Sequence, residues 1–305
     1  MIPVKSLEIT VVIDNYTDLL LPVSERVKRA KVAEKGSFLK APVAEHGLSL
    51  VFNVDGDLFI MDFGLTDFGV SYNMDVLGIN PESISFGVLS HGHFDHWGCL
   101  GSFLEKRNKP FKLYLHRDAL LEKRYFQLPT GEKVYFPRIP MDDWKKMGLE
   151  PVLLEGHGEL LNGKVILSGE IPRKTDFEKG FPGAFYEKDG SVYKDEIKDD
   201  MAVYFVVDGK GLVVVSGCAH SGIINTILYG MELTGEKNLY AVLGGFHLTG
   251  PRMEEVIPKT LNKLVELDPD VISPMHCTGW RGEVEIEKRF PEKFIISSPG
   301  TVISL

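Results

Sequence analysis

Long apolar runs are missing from this chain. No stretch of about 18 apolar residues occurs. Met1–Val12 has no basic start followed by an apolar core and a small-residue cleavage site, so the expectation is a cytoplasmic protein with no membrane partner. Cysteine is scarce: Cys99, Cys218 and Cys277 are too few and too scattered for a disulfide scaffold. Glutamine is nearly absent, with Gln127 alone against many lysines and glutamates, a bias that resembles hyperthermophile composition. No run of like charge stands out and the net charge is −9, whereas a nucleic-acid binder more often carries a concentrated basic face. No nucleic-acid partner is expected. Internal repeats and low-complexity linkers are also lacking.

What remains is a globular chain of 305 residues, 44% hydrophobic and 25% charged, long enough for a full core. Strand-like runs are Leu7–Ile13, Leu48–Val54, Leu58–Asp62, Ser85–Leu89 and Phe111–Leu115, then Lys164–Leu167, Ala202–Val207, Leu212–Val215, Tyr240–Leu243 and Val271–Pro274. Asp55-Gly56-Asp57 between the second and third is a hairpin signal. Helical patterns fall at Ser24–Lys35, Gly98–Arg107, Ile223–Leu233 and Glu254–Leu267. Strands alternate with helices in both halves, which predicts an α+β protein: an αββα sandwich of two mixed sheets with helices on the outer faces. The expectation is a single domain over 1–305. Residues 124–145 and 172–200 read as inserted aromatic loops without regular structure, of the kind that form lids or interfaces. The second use leaves a homo-oligomer open.

The densest chemistry lies at Ser90-His91-Gly92-His93-Phe94-Asp95-His96, directly after a buried strand. Imidazoles at 91 and 93 can converge on one metal ion from a loop, while Asp95 and His96 point elsewhere and can serve a second. Neutral imidazole and carboxylate are the ligands zinc, iron and manganese take in open, catalytic sites. Three later histidines also follow apolar strands: His220 in Gly217-Cys218-Ala219-His220, His247 in Gly244-Gly245-Phe246-His247 and His276 in Pro274-Met275-His276. Strand carboxyl ends are where an α/β protein builds its site. His220 and His276 are the stronger ligand candidates; His247 reads as a ligand or as a substrate-contacting imidazole. Cys218 is either a thiolate ligand or core packing. Asp62, ending a strand ahead of the cluster, is placed to orient a ligand histidine through its free ring nitrogen. His46 reads equally as a pocket residue or a structural one, His116 as structural and His157 as surface.

His91-x-His93-x-Asp95-His96, with Asp62 before it and strand-end histidines after it, resembles the metallo-β-lactamase fold superfamily across essentially the whole chain. Glu45-His46-Gly47-Leu48-Ser49, Gly217-Cys218-Ala219-His220-Ser221-Gly222-Ile223-Ile224-Asn225-Thr226, Gly244-Gly245-Phe246-His247-Leu248 and Pro274-Met275-His276-Cys277-Thr278-Gly279 are similar to one branch of it. That branch comprises proteins like 7,8-dihydropterin-6-yl-methyl-4-(β-D-ribofuranosyl)aminobenzene-5′-phosphate synthase. The resemblance implies a metal cleft along one edge of the sheets. The chain departs from the superfamily pattern twice. The usual mid-chain histidine has no counterpart around Leu167–Pro172, and Cys218 stands where an aspartate usually bridges the metals. His220 can supply the missing imidazole, so one metal or two stays open.

By this resemblance, His91, His93 and His220 hold one metal and Asp95, His96 and His276 the other. The cofactor is one or two divalent ions, zinc first, with manganese and iron as alternatives. Asp95 also steers the attacking group. His247 and His46 serve leaving-group protonation or phosphate contact, Asn15 orients substrate, and Thr278-Gly279 ahead of a helix offers backbone N–H groups to an anion. The activity implied is that of a hydrolase or related transferase on a phosphate- or ester-containing small molecule, pterin or phosphoribosyl compounds among them. Competing readings are a non-haem iron redox protein of the same fold and a catalytically silent binding or sensor protein.

Overall fold

A strand that is apolar at every position must be covered on both faces, because successive side chains point to opposite sides. Ser49–Val54 shows the consequence: Leu50 and Phe52 enter one core while Val51 enters another. A computed structural model describes residues 1–250 and 252–305, and its long strands fall into two mixed sheets. The eight-stranded sheet runs in the order Leu149–Leu154, Phe111–His116, Phe86–Leu89, Asp57–Met61, Ser49–Val54, Leu7–Ile13, Val302–Ser304, Val27–Lys28. The six-stranded sheet runs Gly158–Leu160, Val165–Leu167, Ala202–Val207, Gly211–Ser216, Leu239–Gly245, Val271–Met275.

Three cores follow. The central one lies between the sheets, where Phe59 stacks on Phe52 and Phe86, and Phe52 meets Phe205 of the opposite sheet with ring centroids 5.6 Å apart. The helices Gly69–Leu77 and Leu100–Glu105 cover the outer face of the larger sheet through Val70, Met74, Leu100 and Phe103. Ile223–Thr234, Ile257–Leu267 and Gly279–Arg289 cover the smaller through Ile224, Ile227, Leu264 and Ile286. This is the αββα sandwich that the alternation of elements implied. No helix among the described residues is long and apolar enough to cross a membrane.

Two expectations need correction. Ser24–Lys35 is not helical: Val27–Lys28 pairs with the Val302–Ser304 strand, and Ala33–Glu34 forms a small hairpin with Ser37–Phe38. Along that segment Val27 is the one buried residue, so a helix there has no apolar stripe to bury. Residues 124–145 and 172–200 are also more regular than expected. Lys133–Tyr135, Arg124–Gln127, Ala184–Lys188 and Ser191–Lys194 form a four-stranded antiparallel sheet, and Met141–Lys146 is a helix. Cross-strand aromatic pairs hold the sheet, Tyr125 on Phe185 and Tyr186 on Tyr193 with centroids 5.7 and 5.3 Å apart. Asp189-Gly190, both at positive φ, make the hairpin turn.

Candidate metal centre

The parallel parts of both sheets end on one side of the sandwich, and the turns that leave them carry the polar residues. Asp62 follows Asp57–Met61, His91 follows Phe86–Leu89, Cys218 and His220 follow Gly211–Ser216, His247 follows Leu239–Gly245, and His276 follows Val271–Met275. Asp62, Ala219, His247 and His276 have φ of 64°, 54°, 43° and 49°, a region that L side chains seldom adopt. Strain of this kind persists where the surrounding packing over-determines it, often at functional sites. The turns also pack too closely for larger residues: a Cβ at Gly217 would overlap the Ser90 hydroxyl, and one at Gly244 would overlap the Ser216 carbonyl.

Hydrogen bonds then settle how the imidazoles are presented. The Asp62 carboxylate can only accept; it takes the Ser90 N–H and the Ser90 hydroxyl, each at 2.7 Å, and the Nδ1–H of His96 at 2.6 Å. With its proton given to Asp62, the Ser90 oxygen accepts from His91 Nδ1 at 2.9 Å. Asn15 Oδ1 accepts the Gly47 N–H, which fixes the amide orientation and makes His276 Nδ1 the donor to it at 2.9 Å. Nδ1 of His91, His96 and His276 is thereby committed, and Nε2 of each ring faces inward. Nε2 of His91 lies 3.0 Å from His93 Nδ1 and 3.2 Å from His220 Nε2, and Nε2 of His96 lies 3.1 Å from Cys218 Sγ.

Donor atoms of His91, His93 and His220 all lie within 4.8 Å of one another. The same holds for His91, His96 and Cys218, and for Cys218, His220 and His247. Cys218 thus sits at the junction of two imidazole groups. On the other side Asp95 Oδ2 is 3.3 Å from His276 Nε2, 3.9 Å from His96 Nε2 and 3.5 Å from His46 Nε2. Burial, with the neighbouring imidazoles, holds His91 and His220 well below the ordinary histidine range. Burial, with Arg124 close by, lowers His93 to about 3. Burial also opposes charge on His96, but Asp62 and Asp95 outweigh it and hold that imidazole at about 9. Burial works against the Asp95 carboxylate as well, yet His96 and His276 keep it ionised far below its usual range.

This set fits a divalent cation. Nε2 of His93, Nδ1 of His220 and Nε2 of His276 are buried with no hydrogen-bond partner among the described residues. Buried polar atoms are rarely left so. Three imidazoles held neutral with their nitrogens converging is the donor form that zinc and similar ions take.

The other candidates are placed less uniformly. His247 is half-buried, its ring 4.2 Å from that of His220, and neither of its nitrogens has a partner among the described residues. His46 is exposed, its Nδ1 3.3 Å from the Asn15 amide nitrogen. Asn15 uses its side chain on Gly47 and on the ring and carbonyl of His276, so it braces that histidine and is not free to orient a substrate. Thr278 is buried, its hydroxyl accepting the Phe246 N–H at 3.0 Å, which ties two turns together. His116 Nδ1 accepts the Asp118 N–H, and His157 lies on the surface.

Sequence reasoning missed Ser90, the link between Asp62 and His91, and missed the aromatic wall. Phe136 stacks on His93 at 4.7 Å, and Phe181 stands 5.0 Å from His247. It also missed Arg124, buried and forked between Asp195 and Asp199 behind the 90–96 loop. Asp62→Asn is expected to weaken metal binding about 10–100-fold with the fold intact, the usual cost of losing a partner that orients a ligand. Competition with a chromophoric chelator measures this, and an unchanged affinity would take Asp62 out of the centre.

Two stacked mixed sheets with a histidine-rich edge define the class, and the chain belongs to the metallo-beta-lactamase superfamily, whose family model matches residues 45–169. The fold of this superfamily implies binding of divalent metal, and its members include metal-dependent hydrolases. Over 292 residues, 92% of this chain and 97% of the relative, it is 30% identical to 7,8-dihydropterin-6-methyl-4-(beta-D-ribofuranosyl)-aminobenzene-5'-phosphate synthase of Methanocaldococcus jannaschii. An uncharacterized protein of the same organism is 30% identical over 282 residues, 90% of this chain and 99% of that one. A solved metal-dependent hydrolase of the beta-lactamase superfamily superposes with a TM-score of 0.72 at 26% identity, covering 98% of each chain.

Proposed function

We propose that this protein is a metal-dependent hydrolase, or a related transferase, acting on a small molecule that carries a phosphate or ester. The observation that carries the reading is the convergence of His91, His93 and His220, two of them neighbours in a loop and the third 127 residues beyond His93, on one point with their donor atoms within 4.8 Å. These three would hold one cation, and Asp95, His96 and His276 a second, with Cys218 between the groups. The N, O and S donors suit zinc best. A divalent cation bound there polarises a phosphoryl or carbonyl oxygen and makes a water more acidic.

The chain's own residues do the rest. Asp62, Ser90 and Asn15 keep the ligand rings in one tautomer and orientation. Asp95, ionised and only slightly exposed, accepts a hydrogen bond at a carboxylate oxygen from the attacking group and so orients it. His247 has a nitrogen beside His220, unpartnered among the described residues, from which a leaving oxygen can take a proton. Phe136 and Phe181 exclude water from the imidazoles. The methanogen relative's name, a phosphate-bearing pterin product, supports a phosphorylated substrate of pterin or phosphoribosyl type. A condensation that expels an anionic leaving group uses the same residues, and one fold hosts both outcomes.

Elemental analysis of tag-free protein, followed by a screen of phosphomonoesters, phosphodiesters and carboxylic esters, tests this. One to two equivalents of zinc or manganese with turnover of at least one ester class is the expected result. Iron as the resident metal would favour a redox role. Absence of metal after reconstitution would overturn the reading.

A further inference from the structure

A cavity of about 280 Å³ lies between the Ile257–Leu267 helix, the turn after Leu239–Gly245 and the segment 177–182. It opens beside His220 and His247, yet most of its wall is carbon, supplied by Phe177, Phe181, Phe246, Leu248, Met253 and Val256. An apolar cavity of about 150 Å³ already takes a benzene ring. The space here therefore suits a substituted ring or a fused pair.

Two further observations separate this cavity from a packing defect. The first is a set of polar atoms without partners among the described residues: Oγ1 of Thr260, which is fully buried, and both nitrogens of His247. Buried polar groups nearly always find a partner, so these mark an edge at which a ligand's heteroatoms would bond. The second is charge. Lys179, Lys194 and Arg252 stand in the wall, and none is ion-paired among the described residues; Lys179 reaches only the Thr175 carbonyl, at 3.5 Å. The one acid in the wall, Glu178, is occupied elsewhere. Its oxygens accept the Ile224 and Asn225 N–H groups at 2.8 and 2.9 Å and the Thr175 hydroxyl at 3.0 Å. Aromatic faces, a polar edge and unpaired cations together describe one kind of ligand.

We propose that this cavity binds a flat aromatic or heteroaromatic ring bearing an anionic group, a carboxylate or a phosphate, with the reacting end of the molecule toward His220 and His247. The ring packs against Phe181 and Phe246, its heteroatoms bond to Thr260 and His247, and its anion meets Lys179, Lys194 and Arg252. Stacking on aromatic side chains favours a planar ring over a saturated one of equal size. The orientation of the ligand rests on the metal-centre reading above; the ring preference does not.

Titration calorimetry of the full chain with naphthyl phosphate, naphthoate, cyclohexyl phosphate and inorganic phosphate, before and after chelation of metal, tests the proposal. The two naphthyl compounds are expected to bind at least about tenfold more tightly than cyclohexyl phosphate, and more tightly still than inorganic phosphate, in both states. Which of the two binds better identifies the anion. Val256→Trp, which fills the cavity, is expected to erase the preference while metal content stays as in the wild type. Phe181→Leu, which removes the aromatic face from the wall, serves the same end with a severalfold loss of the aryl preference if the tryptophan variant does not fold. Equal affinities for aryl and cyclohexyl phosphate would overturn the proposal, as would an aryl preference that survives in a folded Val256→Trp protein. Failure of the metal-centre reading shows separately, as wild-type protein that binds no metal.

Discussion

Protein carrying His91→Ala is expected to lose the metal held by His91, His93 and His220 and to lose activity by about 10³-fold or more. His91 is the ring on which the other two converge, with His93 Nδ1 at 3.0 Å and His220 Nε2 at 3.2 Å from its Nε2. It also belongs to the group that includes His96 and Cys218. Alanine removes a donor common to both groups and leaves the Ser90 hydroxyl without its second partner. The activity estimate follows from the several kcal/mol that Lewis-acid stabilisation contributes to a transition state, each 1.36 kcal/mol being tenfold. His276→Ala should act differently. It removes the ring braced by Asn15 beside Asp95 and leaves the His91 group intact. Metal content near half that of the wild type in His276→Ala, against a larger loss in His91→Ala, is the expected pattern by elemental analysis after dialysis. Full metal content in both variants would sink the assignment of ligands.

Arg124→Met is expected to cost about 3–5 kcal/mol of folding stability, the usual penalty for leaving a buried charge without its partner. The guanidinium is 3% exposed and makes four hydrogen bonds, two to Asp195 at 2.6 and 3.2 Å and two to Asp199 at 2.8 and 2.6 Å. Both carboxylates are buried as well. The effect reaches the centre because Asp199 Oδ2 also accepts the N–H of Gly92, between His91 and His93, at 2.7 Å. Burial pushes the Asp199 carboxyl up, but Arg124 outweighs it and holds the group down at about 2. A depressed carboxylate contributes stability that is present above the ordinary carboxylate range and is lost as pH falls through about 2. Wild-type stability in urea should therefore fall between about pH 4 and pH 2. Arg124→Met should be weak already at neutral pH and gain relative to wild type on acidification, as its unpaired carboxylates take up protons. A variant as stable as wild type at pH 7 would refute the role given to this network.

Much of the centre is legible in the amino-acid sequence because its donors sit in short strand-and-turn patterns. His91, His93, Asp95 and His96 fall within six positions behind Phe86–Leu89, and His220 and His276 each follow a buried strand. The supporting residues are not legible in the same way. Ser90 and Asn15 are ordinary polar residues until His96 and His276 are brought to them. Arg124 meets Asp195 and Asp199 across 71 and 75 positions, too far for any local pattern to register. The same distance hides the four-stranded sheet: Asp189-Gly190 is a readable turn, but Arg124–Gln127 pairs with Ala184–Lys188, some sixty residues away.

Taken alone, the sequence determined the layers of the sandwich and the chemistry of its edge. Period-two burial in strands, helical spacing and ligand clusters are all short-range properties, readable within a dozen residues. Tertiary structure alone decided which nitrogen of each histidine faces inward, where Cys218 sits between the donor groups, and that Phe177, Phe181 and Phe246 enclose a cavity beside His220. Those outcomes depend on contacts between segments up to 262 residues apart, such as Asp14 with His276. Their geometry is set by the packing of two sheets, which no single stretch of chain encodes.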